Sequence, residues 1–287
     1  MRLPFIILTP ACVVLGLGTA VWTNGSVNVL HVVLAFIGAV ASHVSVNAFN
    51  EYFDFKSGLD FKTQRTPFSG GSGTLPEKPE LARQALATAI ISLAVVCAVG
   101  VYFLSVWGLA LLPLGLAGVI VVVAYTPWFA HNAILCLVAP GVGFGSLMVV
   151  GTHFVLTGEY SWIAFVASLV PFFLVSNLLL LNQFPDVEAD RSVGRKNFPI
   201  LIGRRASSLI YGAFLLLAFL SIVFGVVFDF LPKSCLIALV ALVLAFPAMI
   251  GAYRNADDIK KLIPALGMNV LINIITPVLV EVGLFIA

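Results

Sequence analysis

Charge is scarce in this chain. Only 10% of its 287 residues are Asp, Glu, Lys or Arg, and the formal net charge is +2. So small a basic excess leaves no electropositive footprint, which argues against nucleic acid as a partner. Cysteine is rarer still. Cys12, Cys97, Cys136 and Cys235 are scattered through apolar stretches, and no two form a CxxC pair. They read as small packing residues rather than as a metal or redox motif. The Val-, Leu- and Phe-rich runs lack period-two alternation, so a membrane β-barrel is not expected. Low-complexity linkers and any polar stretch long enough for a soluble domain are missing, which makes 1–287 one membrane domain. The first apolar run follows Arg2 alone and lacks a convincing cleavage site. It is read as a true span, not a cleavable signal.

Apolar surface is what the chain has in excess: 61% of residues are hydrophobic and the mean hydropathy is +1.10. A soluble globule of this size has no use for so much. Windows of about twenty apolar residues fall at 4–22, 27–50, 81–105, 107–126, 132–157, 161–183, 207–228, 231–253 and 262–286. The expectation is an all-α, polytopic membrane protein: nine transmembrane helices in one bundle, with a central cavity opening to the cytoplasmic side.

Nine spans sort the bases. Of the fifteen Lys and Arg, only Lys233 falls on one side of the membrane, and the rest share the other with Arg2. The positive-inside rule then puts the N-terminus and the two long polar loops, 54–80 and 184–206, in the cytoplasm. The expected location is the cell's inner (plasma) membrane.

Both loops begin with the same phrase, an Asn followed four residues later by an Asp. The first copy is Asn50 and Asp54, then Asp60. The second is Asn182 and Asp186, then Asp190. His43, Asn47, Asn50 and Asp54 are spaced by four, three and four, so one helix face carries all of them. A polar stripe on a membrane helix turns toward a bundle interior or an aqueous cavity. Asn182, Asp186 and Asp190 are expected to share a face too, with Pro185 unwinding the helix locally. The phrase recurs four helices apart, a weak internal echo of two halves.

Carboxylates at a membrane boundary are costly unless paired or metal-bound, and four in one mouth repel each other. Mg²⁺ relieves this by taking a carboxylate or two plus water and substrate phosphate oxygens. Asp54, Asp60, Asp186 and Asp190, with Asn50, are the expected ligands. Arg65, Arg195 and Lys196 stand ready to meet remaining phosphate charge. The bland alternative is loop acids neutralised by neighbouring bases. The loop Arg65-Thr-Pro-Phe-Ser69-Gly-Gly-Ser-Gly-Thr-Leu-Pro76 offers either an anion-cupping lid, with Ser69 at the substrate, or a plain connector.

At these residues the chain resembles the UbiA-type intramembrane prenyltransferases. Asn50-Glu-Tyr-Phe-Asp-Phe-Lys-Ser-Gly-Leu-Asp60 is similar to the form in the branch that prenylates 1,4-dihydroxy-2-naphthoate for menaquinone. Tyr125-Thr-Pro127 resembles the family signature after helix 4, and Leu147–Thr152 with Thr157 and Gly158 resembles that branch's helix 5. The resemblance spans essentially the whole chain. It implies nine helices, two Asp-rich motifs after helices 2 and 6, and Mg²⁺-bound polyprenyl diphosphate ionised to an allylic cation. An aromatic acceptor then attacks, while the prenyl tail lies toward membrane lipid. It implies catalytic roles for Asp54, Asp60, Asp186 and Asp190, cation–π support from Tyr125, and substrate contacts from Asn50 and Asn182. The chain departs from the family at Gln183-Phe-Pro185, at Gly194-Arg-Lys-Asn-Phe-Pro199, at His153, and in a loop after Tyr125 that offers His131 but no Lys or Arg.

Two rivals stand beside this reading. Nine spans, an inward polar stripe and a Pro-broken helix also suit a cation-coupled transporter, although transporter sites lie nearer the bilayer midplane. A UbiA-type enzyme with another acceptor, such as 4-hydroxybenzoate or homogentisate, is the second. Elsewhere, Asn269 and Asn273 are expected to bond between helices, and Gly141, Gly143 and Gly145 to allow close packing. His43 either touches substrate or bonds a neighbouring helix. His31 and Glu281 are placed at the outer interface.

Overall fold

The computed structural model describes residues 6–63 and 65–287; the span start expected at residue 4 and Arg2 lie outside them. The described residues are helical, with no strand among them. Helix α1 runs Leu8–Asn24 and α2 Val29–Lys56. After the loop and the one-turn α3 (Thr74–Glu77) come α4 (Ala82–Trp107) and α5 (Leu112–Ala124). Helix α6 (Ala133–Gly141) passes through a π turn, Val142–Leu147, into α7 (Met148–Thr157). Helix α8 (Trp162–Asn182) is followed by two short helices, α9 (Val187–Ser192) and α10 (Phe198–Ile202). The chain closes with α11 (Arg204–Val227), α12 (Leu242–Arg254, entered through a 3₁₀ stretch, Lys233–Ala241) and α13 (Ile259–Phe285).

Among the described residues, seven helices are long and apolar enough to cross a membrane: Val29–Lys56, Pro79–Ala124, Ala133–Thr157, Trp162–Asn182, Arg204–Val227, Lys233–Arg254 and Ile259–Phe285. The expected count of nine is not reached by this measure, for two reasons. Leu8–Asn24 has only 17 residues. The windows 81–105 and 107–126 merge, but for the last two residues, into one continuous run of 46 residues, Pro79–Ala124. That run is interrupted at Gly108, whose φ of +69° only glycine adopts without strain.

Polar residues at the ends of apolar runs set the boundaries. Asn28 caps α2, its Oδ1 accepting from the backbone N–H of Leu30 at 2.8 Å. Asn132 caps α6 in the same way, and Asp258 caps α13 through the N–H of Lys261. Each such cap stabilises a helix start by about 1 kcal/mol. Helix α2 continues six residues past its apolar window, to Lys56, and Gly58, φ +78°, turns the chain two residues later. The whole stripe from His43 to Asp54 is therefore helical, as its spacing demands.

Helix α8 is the most buried of the spans and packs against α6, α11 and α13, with α1 against α7 and α13 and α2 against α4. The main core gathers Leu15, Leu174, Leu181, Phe184, Tyr211 and Ile222. Within it, Asn177 Nδ2 donates to the Tyr211 carbonyl (2.8 Å), the Tyr211 hydroxyl donates to Asn269 Oδ1 (3.3 Å), and Asn273 Nδ2 donates to the Asn269 carbonyl (2.9 Å). Asn269 is thus an interhelical link, as expected, joining α13 to α11 and α8. Asn273 is not, since its amide bonds one turn back within α13. The outward faces are apolar, with Leu216, Leu220, Val223 and Phe224 exposed on α11 and Val243, Phe246 and Ile250 on α12. The chain is a multi-pass membrane protein.

Close packing explains two of the three glycines singled out in helix α6 and its π turn. A Cβ on Gly141 would come within 2.2 Å of the Phe172 carbonyl oxygen, and one on Gly145 within 2.4 Å of the Phe172 nitrogen. Gly141→Leu is expected to destabilise the protein by roughly 3 kcal/mol, read as earlier thermal unfolding in detergent. Gly143 differs, because its Cβ would meet only Val121 at 3.5 Å.

Two further placements differ from the sequence reading. His31 is buried, ringed by Tyr102, Phe103 and Trp107 with centroids 5.3 to 6.0 Å away, because α4 closes over the start of α2. Glu281 is also buried, because the 3₁₀ stretch leading to α12 covers that face of α13; the Ser234 hydroxyl donates to the Gly283 carbonyl. Hydropathy ranks residues along the chain and carries no information about which neighbour covers an end.

Candidate active site

A cavity of ≈ 440 Å³ lies in the bundle. Its polar end is lined by Asn47, Asn50, Asp54, Asp60, Asn182 and Asp186, together with Asp190 and Arg195. Carboxylates more than 120 residues apart in sequence thus face one space. The joining is direct. Arg195 lies between the two motifs, one guanidinium nitrogen paired with Asp54 and the other donating to Asp190 Oδ1 at 3.1 Å. The backbone N–H of Gly70, in the loop after the first motif, donates to Asp186 Oδ2 at 3.2 Å.

Local structure puts each acid in place. Asp54 rides the last turn of α2, and Asp60 follows on a 3₁₀ turn that Gly58 initiates. In the second motif Pro185 supplies no N–H, so α8 stops at Asn182 and the chain restarts at Val187. Asn182, Asp186 and Asp190 therefore do not lie on one continuous helix face, but the turn between α8 and α9 still delivers all three to the cavity. Arg204 Nε takes the Phe184 carbonyl at 2.7 Å, satisfying a group at this break.

The electrostatics are those of a buried triad. The side chains of Arg195, Asp54 and Asp190 are 16%, 12% and 4% exposed. Burial pushes the Asp190 carboxyl up, while the Arg195 charge and hydrogen bonds from Arg195 and Asn197 pull it back. Burial alone would lower Arg195, but Asp54 and Asp190 outweigh it and hold the guanidinium charged above its ordinary range.

The loop 65–76 closes over this end. Gly70, Gly71 and Gly73 all have φ between +68° and +86°. A Cβ on Gly71 would sit 2.8 Å from Asp60 Oδ1, so glycine is required for the approach. Ser69 is buried and lines the cavity, its N–H donating to Thr66 Oγ1 at 2.8 Å. Ser72 donates to Glu51, tying the loop to α2.

Two expected phosphate ligands are not brought to the cavity. Arg65 turns outward to Glu77 at 3.0 Å and to the Gly73 carbonyl, because a closer carboxylate is available in its own loop. The Lys196 side chain is exposed, and only its backbone N–H is engaged, with the Ala130 carbonyl at 3.2 Å. His43 lines the cavity and also bonds α1, its Nδ1 lying 2.6 Å from Thr9 Oγ1 with Phe144 edge-on at 4.8 Å. Asn47 Nδ2 donates to the His43 carbonyl, and Tyr125 lies on the cavity wall beside Cys136.

Sequence reading missed three participants. Asn197 donates to Asp190 Oδ2 at 2.9 Å while capping α10 through the N–H of Ile200. Its signal was present, since an Asn two residues before Pro199 marks a helix start. Thr126 accepts from Asn50 at 3.2 Å, and Gln183 donates to Cys136. These two links depend on tertiary placement and left no pattern to read.

Donor chemistry decides whether Mg²⁺ suits this end. Every candidate ligand is a hard oxygen, and the carboxamide oxygen of Asn182 is buried without a hydrogen-bond partner. However, Asp54, Asp60, Asp186, Asp190 and Asn50 do not form one tight ligand set. Among the described residues no three His, Cys, Asp or Glu are grouped closely enough to chelate an ion unaided. That arrangement fits an ion that takes one or two protein oxygens and completes its shell with water and phosphate, which is the habit of Mg²⁺.

Fold and cavity together define an all-helical membrane protein whose acidic chamber is built from two distant motifs. Residues 9–271 match the sequence model of the UbiA prenyltransferase family, and the chain belongs to that family. Among curated relatives, 1,4-dihydroxy-2-naphthoate octaprenyltransferase of Bacillus subtilis is 29% identical over 189 residues, which cover 63% of this chain and 57% of the relative. The chain therefore spans little more than half of that relative's length. The protein of the same name from Mycobacterium leprae is 25% identical over 267 residues, covering 91% of this chain and 87% of the relative. Among solved structures, the apo UbiA homolog of Aeropyrum pernix superposes with a TM-score of 0.74 at 17% identity, covering 100% of this chain and 98% of that one. The UbiA homolog of Archaeoglobus fulgidus bound to DMAPP and Mg²⁺ gives 0.61 at 17% identity, covering 96% and 98%.

Proposed function

We propose that this protein moves a polyprenyl group from a prenyl diphosphate to an aromatic acceptor, 1,4-dihydroxy-2-naphthoate, as a step in menaquinone biosynthesis. The observation that carries the reading is the chamber itself, where both Asp motifs share one space with an apolar wall that includes Ala35, Val99, Leu114 and Phe144. Family membership supports prenyl transfer. The names of the Bacillus and Mycobacterium relatives favour the naphthoate, and the Archaeoglobus structure's DMAPP and Mg²⁺ favour a metal-bound diphosphate.

In this reading Asp54, Asp60, Asp186 and Asp190, with Asn50 and Asn182, hold Mg²⁺ and the diphosphate between the motifs. When bound, Mg²⁺ supplies positive charge that stabilises the departing diphosphate. Arg195 adds a fixed guanidinium on the same side. The loop carrying Ser69, Gly70 and Gly71 covers the diphosphate and keeps water out. As the C–O bond to the diphosphate breaks, the tail's first carbons carry an allylic cation. Tyr125 faces that charge, a contact worth up to about 2 kcal/mol in a dry pocket. A ring carbon of the acceptor donates its electron pair to the cation, and the acceptor's carboxylate leaves as CO₂. The motif end faces the cytoplasm of the inner membrane, because the bases collect on that side.

The test feeds purified protein one polyprenyl diphosphate and a panel of acceptors: the naphthoate, 4-hydroxybenzoate and homogentisate. Product mass is read with Mg²⁺ or with a chelator. The proposal expects a prenylated, decarboxylated naphthoate product that vanishes on chelation. Prenylation of hydroxybenzoate alone would overturn the acceptor assignment. Ion flux in liposomes without transfer to any acceptor would overturn the enzyme reading.

A further inference from the structure

A second hollow lies outside the central cavity. It is a groove of ≈ 480 Å³ between the end of α2 and the start of α4. Tyr52 and Phe55 of α2 and Leu86 of α4, all half-buried, supply its apolar part. Lys56 and Arg83 line it too, one from each helix. Both are exposed, and among the described residues neither is in an ion pair. Lys56 Nζ sits 6.0 Å from the centre of the Tyr52 ring, a contact that keeps the ammonium at the groove. Glu80 is the acid in the lining, so two bases and one carboxylate leave the groove positive.

Its place in the fold narrows what can occupy it. Arg83 shares a face of α4 with Ile90, seven residues on and about 10 Å along the axis. Ile90, Ile91, Val95 and Val101 of that helix are exposed. In a membrane-spanning bundle such a surface meets acyl chains. The two bases therefore stand where an apolar outer face gives way to water, at the depth of lipid headgroups. A lone interfacial base meets any passing phosphate. Here two helices supply one base each, with an aromatic ring and a recess between them.

We propose that this groove is a binding site for an anionic phospholipid of the phosphatidylglycerol kind. Its phosphodiester lies between Lys56 and Arg83, a headgroup hydroxyl donates to the Glu80 carboxylate, and one acyl chain follows the exposed face of α4. The site stands independently of the prenyl-transfer reading, yet it bears on it. Asp54 lies in the same turn of α2 as Tyr52, Phe55 and Lys56. A lipid that clamps this turn to α4 steadies the helix end that carries the first acidic motif.

Native mass spectrometry of the detergent-solubilised protein tests this by counting retained lipids. Phosphatidylglycerol and phosphatidylcholine are offered in equal amounts, and the wild type is expected to favour the first roughly twentyfold. Lys56→Gln and Arg83→Gln are each expected to lower that preference about fivefold, and the double variant to bring it near parity. Both side chains are exposed and unpaired, so the variants fold. Lys260→Gln, which removes a like charge from the exposed start of α13, is expected to keep the wild-type preference. Equal retention of the two lipids by the wild type would overturn the inference. So would an equal loss in Lys260→Gln, which would mark a diffuse effect of surface charge. Millimolar inorganic phosphate is expected to leave the lipid in place, and displacement by it would overturn the lipid assignment. The readout contains no prenyl transfer, so failure of the proposed reaction leaves it untouched.

Discussion

Asp54→Asn is expected to abolish prenyl transfer, with at least a roughly 10³-fold loss in kcat/KM, and to leave the bundle folded. The substitution keeps the shape and removes one charge. Asp54 ends the polar face of α2, and its carboxylate is the link through which Arg195 joins the first motif to the second. As Asn it can no longer offer a metal an anionic oxygen or hold that guanidinium in place. Asp186→Asn is expected to do the same from the opposite motif, where Asp186 also accepts from the Gly70 N–H. Initial rates with the naphthoate acceptor, alongside circular dichroism of each variant, check this. Full activity in both variants would refute the metal assignment.

Arg195→Met has the next largest effect, and part of it is on stability. In the wild type, one guanidinium compensates two buried carboxylates. Without it, Asp54 and Asp190 keep their desolvation cost and lose their partner. Breaking a buried ion pair from one side costs about 3–5 kcal/mol, which in a protein of this size lowers Tm by roughly 10 °C. Millimolar Mg²⁺ is expected to restore much of that loss in the variant and to shift the wild type less, since the ion then supplies the charge the guanidinium supplied. Activity is expected to fall about 10²-fold even with saturating metal, because the fixed donor to the diphosphate is gone. Thermal unfolding with and without Mg²⁺ reads the first effect. An unchanged Tm, indifferent to Mg²⁺, would show that the triad does not hold the motifs together.

What the sequence made legible follows from local rules. The spacing of four, three and four puts His43 to Asp54 on one helix face, so that stripe was readable in advance although the apolar window stops at 50. Pro185 announced the break between α8 and α9, because a missing N–H acts on its own segment. The span count was less secure. A hydropathy window sees neither the shortness of Leu8–Asn24 nor a run of 46 residues turned at one glycine. Partner choice was the least legible. Arg65, Arg195 and Lys196 look alike in sequence, each a base beside an acidic motif. Only the fold brings Arg195 to Asp54, 141 residues away, while Arg65 is taken by Glu77 and Lys196 faces out. The burial of His31 and Glu281 escaped for the same reason, since what covers a helix end is set by another helix.

The most direct test of the account is a double-mutant cycle on binding. Affinity for a non-ionisable prenyl diphosphate analogue is measured with Mg²⁺ for wild type, Asp54→Asn, Asp186→Asn and the double variant. If both motifs grip one diphosphate through shared metal, either single change loses nearly all Mg²⁺-dependent affinity and the double loses little more. Losses that simply add, or one variant that binds like wild type, would mean the two motifs do not act on the same ligand.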